Sequence, residues 1–280
     1  QEKKTKTRNA SFLHLSFFDS FNVLKMSRII IFFLVLSSFC NNYAQTQTAK
    51  EVNHQAQTWV SLNTNYKFND RWGMMNDVHI RRTDFAAKEN FYFARTGITY
   101  AAYPNLTLAL GYAHLWLAPA KPEWNNFADE NRIYQQVVYT SKIGKVSVLQ
   151  RLRNEQRWQD KMANDVAVDT RFTNRVRYLL SFTIPVFKDK SLPSLVVADE
   201  LLLHFGKEVV YNTLDQNRIF LGIRQNITPK LSYDFGYMHV FQQKYSGYQY
   251  DANHTLRLFF YYNGGKTPEK KAVEHQDGQE

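Results

Sequence analysis

Arg151, Arg153, Glu155 and Arg157 stand at intervals of two in the stretch VLQRLRNEQRW (148–158), and they carry the chemistry most readily read from this chain. Guanidinium groups hold phosphate, carboxylate or sulfate through paired N–H donors. A glutamate among them supplies a counter-charge or a proton acceptor. Arg175 and Arg177 in TNRVRY repeat the spacing, Arg218 and Arg224 follow in NRIFLGIR, and Glu200 stands in DELLLHFG. Residues two apart share one face of a β-strand, so each row is a strand face. The open readings are an anion-binding lining, a set of buried ion pairs, a nucleic-acid stripe or a catalytic row.

The elements that must position these rows are strands. From Thr58 onward polar and apolar residues alternate in segments of about ten residues broken by turn signals, the pattern of a transmembrane β-barrel. The segments run 58–67, 72–83, 91–101, 106–117, 131–142, 146–157, 171–184, 194–205, 216–227, 231–242 and 254–262. Short connections at 69–71, 103–105, 143–145 and 228–230 alternate with long polar ones at 119–130, 159–169 and 244–251, and 185–193 is a medium loop among the short ones. The expected fold is all-β, an antiparallel transmembrane barrel of about 10 to 12 strands with short periplasmic turns and longer outer loops. Eleven segments are an odd number where bacterial single-chain barrels use even ones.

A repeat supports this reading. GITYAAYPNLTLALGYAHLW (97–116) and GIRQNITPKLSYDFGYMHVF (222–241) share Gly-Ile, a Pro seven on, a Leu two later and Gly-Tyr-x-His at a constant offset of 125. The outward faces run through Tyr112, His114 and Trp116 in one copy and Tyr237, His239 and Phe241 in the other. Apolar centres with aromatic ends suit a lipid-facing strand and its interfacial girdle. The same alternation turns Arg95, Arg132, Arg151, Arg153, Arg157, Arg175, Arg177, Arg218, Arg224 and Arg257 inward, against Asp77, Glu155, Glu200 and Asp234. Val148 and Leu152 face out, Trp158 lies near the outer rim, and Gln150 is an outward polar residue without an evident role.

Such an interior suits passage or binding of small anionic solutes, because a lumen of one sign concentrates counter-ions. The alternative is a closed structural or interaction barrel, its lumen filled by side chains and its charges paired. An outer-membrane lipase is a third reading: His114, His239 and His254 face outward, but Ser232 faces inward, Ser246 lies in a loop and no His-x-Ser spacing follows residue 45. Nucleic acid is disfavoured, since the mixing of basic and aromatic residues follows from strand alternation alone. Asp77 and His79 share a face, an unspecific hint of metal ligation. No catalytic residue, metal ligand or cofactor is expected.

The remaining chain gives location. Lys25 and Arg28 flank the start of the run Ile29–Phe39, and Asn-Tyr-Ala precedes Gln45, the order of a secretory signal over 26–44. The expected organisation is an over-extended start over 1–25, the signal, an N-terminal arm over 45–57, the barrel over 58–262 and a polar disordered tail over 263–280. Cys40, the only cysteine, would leave with the signal, removing disulfides and thiol catalysis. The formal charge of +10 falls to +6 over 45–280, with 29 basic and 23 acidic residues.

RLRNEQRW (151–158), TNRVRYLLSFTIP (173–185), DELLLHFG (199–206) and DQNRIFLGI (215–223) together resemble a bacterial outer-membrane β-barrel family of unknown function, the domain of unknown function 2490 type. The resemblance covers roughly residues 55–262 and implies the outer membrane of a Gram-negative cell, with no assigned activity. Outer-membrane lipid and the barrel-assembly machinery are the expected partners, with small anionic solutes as candidate ligands.

Overall fold

The computed structural model describes residues 49–189 and 191–265. The expected start, signal and Cys40, and the tail beyond 265, lie outside the described residues. Alternating side chains over most of the described chain favour one element type, and every regular element there is a strand: β1 (Glu51–Lys67), β2 (Trp72–Thr83), β3 (Lys88–Tyr103), β4 (Leu106–Leu117), β5 (Ala128–Ile143), β6 (Val146–Ala163), β7 (Val166–Ile184), β8 (Ser194–Phe205), β9 (Leu214–Asn226), β10 (Leu231–Gln243) and β11 (Gln249–Gly265). Each pairs antiparallel with its chain neighbours, and β1 closes on β11 to complete a barrel.

The odd count explains how the barrel closes. Successive strands reverse direction, so the first and the eleventh run the same way and can meet only in parallel. The seam runs from Glu51↔Gln249 to Lys67↔Gly265. Residues 51–57, expected as an arm, are thus the first half-turn of pairing: polar side chains there do not oppose a strand whose backbone is held by β11. In the same way 263–265, expected as tail, finish β11.

All five connections at one rim (68–71, 104–105, 144–145, 185–193 and 227–230) are turns or the medium loop, and this is the turn rim. At the opposite loop rim, the segment 159–169 is no loop. β6 and β7 continue through it and reverse at Asn164 and Asp165, whose φ of 50° and 64° fit the tight turn that matches strand twist. Polar sequence there reflects a hairpin standing free of the barrel wall.

The two copies of the repeat occupy β3–β4 and β9–β10, and their glycines meet across the strands as Gly97↔Gly111 and Gly222↔Gly236. Missing side chains at these inward positions leave room for a ring. The Tyr134 hydroxyl lies over Gly97 and Gly111, and Phe220 over Gly222, where a Cβ would stand 2.5 Å from the ring. This is the covering of strand glycines by aromatic neighbours.

Burial is inverted relative to a water-soluble sandwich. Arg177 and Arg257 are 0% exposed, while Leu110 is 59% and Leu221 54% exposed on strand faces turned outward. Inside, Trp59, Val138, Leu149, Leu179, Val196, Ala198, Phe220, Met238, Val240, Phe259 and Tyr261 form one apolar cluster drawn from eight of the eleven strands. These eight strands are contiguous, β5 through β11 and on to β1, so the cluster lines one continuous arc of the wall, with Leu179, Val196 and Phe220 at 0% exposure.

Candidate functional site

Every inward residue named from the sequence points into the barrel. Arg151, Arg153 and Glu155 project from β6, Arg175 and Arg177 from β7, Glu200 from β8, and Arg218 and Arg224 from β9. All are buried except Arg224, which is half-buried. They lie together because four neighbouring strands each place a charge at matching height, and their contacts form two hubs.

Glu200 is the first hub. Arg177 donates to both of its oxygens, from Nε at 2.9 Å and from Nη2 at 2.9 Å, which is the paired fork geometry. Arg151 donates from Nη2 at 2.5 Å, and Arg218 approaches at 3.4 Å. Glu155 is the second hub, taking Arg175 at 2.5 Å and Arg177 at 3.0 Å, with Arg153 at 3.6 Å. Arg177 joins the two. Charges this deeply buried need counter-charges, since an isolated buried ion costs several kcal/mol.

Sequence spacing missed part of the network. Glu130 was assigned to the 119–130 loop, yet it begins the buried face of β5 and accepts from Arg132 at 2.7 Å and Arg157 at 2.6 Å. Asp215 was placed just before its strand, yet it takes Arg175 at 2.8 Å. Arg81 is buried with its guanidinium 3.5 Å over the Trp59 ring. The inward parity of these three positions was the signal; their place at the ends of segments hid it.

Two smaller pairs complete the lining. Arg224 grips Asp234 through Nε at 2.7 Å and Nη2 at 2.8 Å, and Arg257 and the Tyr261 hydroxyl join them. Asp77 pairs with Arg95 directly opposite on β3, and His79 is packed edge-on between Phe93 and Phe259. Asp77 and His79 are therefore occupied separately, and among the described residues no group of three His, Cys, Asp or Glu is placed to hold a metal ion.

On the outward face, Tyr112, Trp116 and Tyr237 are exposed and His114, His239 and Phe241 half-buried, all toward the loop rim. A second outward aromatic set at the turn rim, including Tyr66, Trp72, Tyr100, Tyr139 and Tyr262, was not read from the sequence because it is spread over separate strands. The histidines are engaged with their neighbours. His114 meets Asn131 at 2.9 Å through Nδ1 and Asp129 at 3.1 Å through Nε2, while Tyr237 Oη lies 2.7 Å from His254 Nδ1. Gln150 also has a role, accepting from the Tyr178 hydroxyl at 2.8 Å.

Fold and interior together define a closed β-barrel whose inward face carries paired charges and a buried apolar cluster. Its sequence matches, over residues 56–267, the family described as protein of unknown function (DUF2490). The chain belongs to that family. No curated protein matches it.

Proposed function

We propose that this chain is an outer-membrane β-barrel with a closed lumen, serving a structural or interaction role at the cell envelope rather than conducting solutes. One observation carries the reading: on the same strands, arginines are fully buried inside while leucines and isoleucines are exposed outside. Water as the outer solvent would favour the reverse, whereas hydrocarbon favours it as observed. The aromatic sets near both rims support it, since such rings prefer the two membrane interfaces. Lipid and the barrel-assembly machinery are the partners this reading implies. A protein extracted from the outer-membrane fraction that runs as a compact species unboiled and as an extended one after boiling is the expected result. Recovery in a soluble fraction refutes the location.

Closure rests on the full burial of inward side chains, with Leu179, Val196, Phe220 and Arg257 at 0% exposure, and on the paired charges among them. The expected result in planar bilayers is no steady ion current from the purified barrel. A second reading, binding or passage of a small anion, is favoured by one observation: ten buried arginines face seven buried carboxylates. Anion-selective current, or stabilisation by millimolar phosphate at constant ionic strength, establishes that reading instead. Catalysis has no place in either, so phospholipid turnover unchanged by replacing His114, His239 and His254 is expected.

A further inference from the structure

The outward polar residues are unevenly placed. Outward side chains on β4 run Leu106, Leu108, Leu110 and Tyr112, and on β10 Tyr233, Phe235 and Tyr237. On β5 and β6, at mid-strand, they include Gln135, Asn154 and Gln156, with Asn174 opposite Gln156 on β7. Several other outward polar groups are matched locally: Gln150 with Tyr178, Asp199 with Asn217 at 2.7 Å, and Asn76 with Thr64 and Thr96.

The three amides of β5 and β6 are only partly matched. Gln135 donates to Gln156 at 3.0 Å, Gln156 donates back at 3.3 Å, and Asn154 donates to Gln135 at 3.0 Å. Each NH2 carries two donors and each carbonyl two acceptor positions. One N–H of each amide, and the Asn154 carbonyl oxygen, therefore have no partner among the described residues. In hydrocarbon such groups are costly and lipid tails cannot satisfy them. Around them stand exposed Ile133, Val137 and Leu152, so the patch is a polar centre in an apolar surround.

We propose that the outward face of β5–β7, centred on Gln135, Asn154 and Gln156, is an interface with a second copy of this chain. The inference rests on the outer-membrane reading, because in water the same amides would simply be hydrated. A second copy fits for a chemical reason. An amide cluster holds donors and acceptors together, so a two-fold axis through it sets each copy's N–H groups against the other's carbonyl oxygens. A cluster of carboxylates or ammonium groups would repel its own copy. Hydrogen bonds between polar side chains at depth hold membrane segments together.

The test uses the full chain in native outer membranes, in a Cys40→Ser background. A single cysteine is placed at Asn154→Cys or, on the far side of the barrel on β1, at Leu62→Cys, and a short bismaleimide is added. A cross-linked species of twice the chain mass with Asn154→Cys and none with Leu62→Cys is expected. Replacing Gln135 and Gln156 together by Leu weakens dimerisation by at least about tenfold in detergent, while the heat-dependent gel shift shows that the barrel still folds. Two results overturn the interface. One is a monomer in native membranes with the gel shift intact, which leaves the outer-membrane reading standing. The other is cross-linking of Asn154→Cys to a different protein. A chain recovered outside the membrane fraction removes the outer-membrane reading and the interface with it.

Discussion

Replacing Glu200 by Gln separates a packed ionic core from an open lumen. Glu200 is 0% exposed and holds Arg177 by two hydrogen bonds, Arg151 by one at 2.5 Å and Arg218 at 3.4 Å. Glutamine keeps the volume and one acceptor but removes the charge at the centre of these guanidinium groups, while Arg177 keeps Glu155 at 3.0 Å. Removing one partner of a buried ion pair costs about 3–5 kcal/mol. In a water-filled channel the same groups would be hydrated and the loss would stay within about 1 kcal/mol, as for exposed pairs. With a urea dependence of about 3 kcal/mol/M for a chain of this size, the packed core predicts a fall of about 1–2 M in the unfolding midpoint. The assay is reversible urea unfolding in lipid vesicles, followed by tryptophan emission. A fall below about 0.3 M refutes the packed core and restores the open lumen.

Further consequences are local. Asp77→Leu alone, which removes the carboxylate opposite Arg95, destabilises by about 3–5 kcal/mol; Asp77→Leu combined with Arg95→Met recovers most of that in the same unfolding assay, and an additive double variant refutes the pairing. Gly222→Ala places a Cβ 2.5 Å from the Phe235 carbonyl oxygen and 2.5 Å from the Phe220 ring, and because the first is backbone the strain cannot relax. A loss of about 1–3 kcal/mol is expected, read from the urea midpoint. Asp165 accepts from the backbone N–H groups of Asn125 at 3.1 Å and Asn126 at 2.8 Å, tying the 118–127 loop to the β6–β7 hairpin. Asp165→Ala releases the loop, and a glutamyl endopeptidase then cuts after Glu123 several times faster, with the barrel itself still resistant.

Legibility in the sequence followed the physics of alternation. The two-residue period of β6 to β9 set the facing of the eight lining charges named from it, because a strand offers only two directions. What failed was anything depending on where a strand stops. Glu130 and Asp215 sit in polar surroundings at strand starts, where alternation has too few residues to declare itself. The continuation of β6 and β7 through 159–169 was hidden for the same reason: a hairpin solvated on both faces has no apolar period. Closure was legible only in its arithmetic, an odd count requiring a parallel seam, although nothing in TQTAKEVNHQAQ marks residues 51–57 as strand. The partners inside the lumen were beyond reach, because they are set by which strands adjoin and at what register.

Register is also where the charges have their clearest structural consequence. Asp77 lies directly opposite Arg95, Glu155 opposite Arg175, Glu200 opposite Arg218 and Asp234 opposite Arg224, so four strand pairs each carry one ion pair at a matched position. A slip of one residue turns every inward side chain outward. With apolar residues on both faces such a slip would cost little, but here it would move a buried arginine into the outer solvent and leave its carboxylate alone. The ion pairs therefore penalise misregister even where, against an apolar core, they contribute little net stability. The seam between β1 and β11 is different. Trp59 there faces Arg257, and Ser61 faces Phe259. Its cross-seam bonds include Asn63 donating to the Phe260 carbonyl at 3.1 Å, Gln249 donating to the Glu51 carboxylate at 2.9 Å and His54 Nδ1 lying 3.4 Å from His254 Nε2. Ten antiparallel junctions are fixed in part by the short connections between consecutive strands, and four of them by charge as well. The one junction with no connection of its own is held by backbone pairing along the full 17 residues of β1. That length is what lets residues as polar as 51–57 belong to the wall.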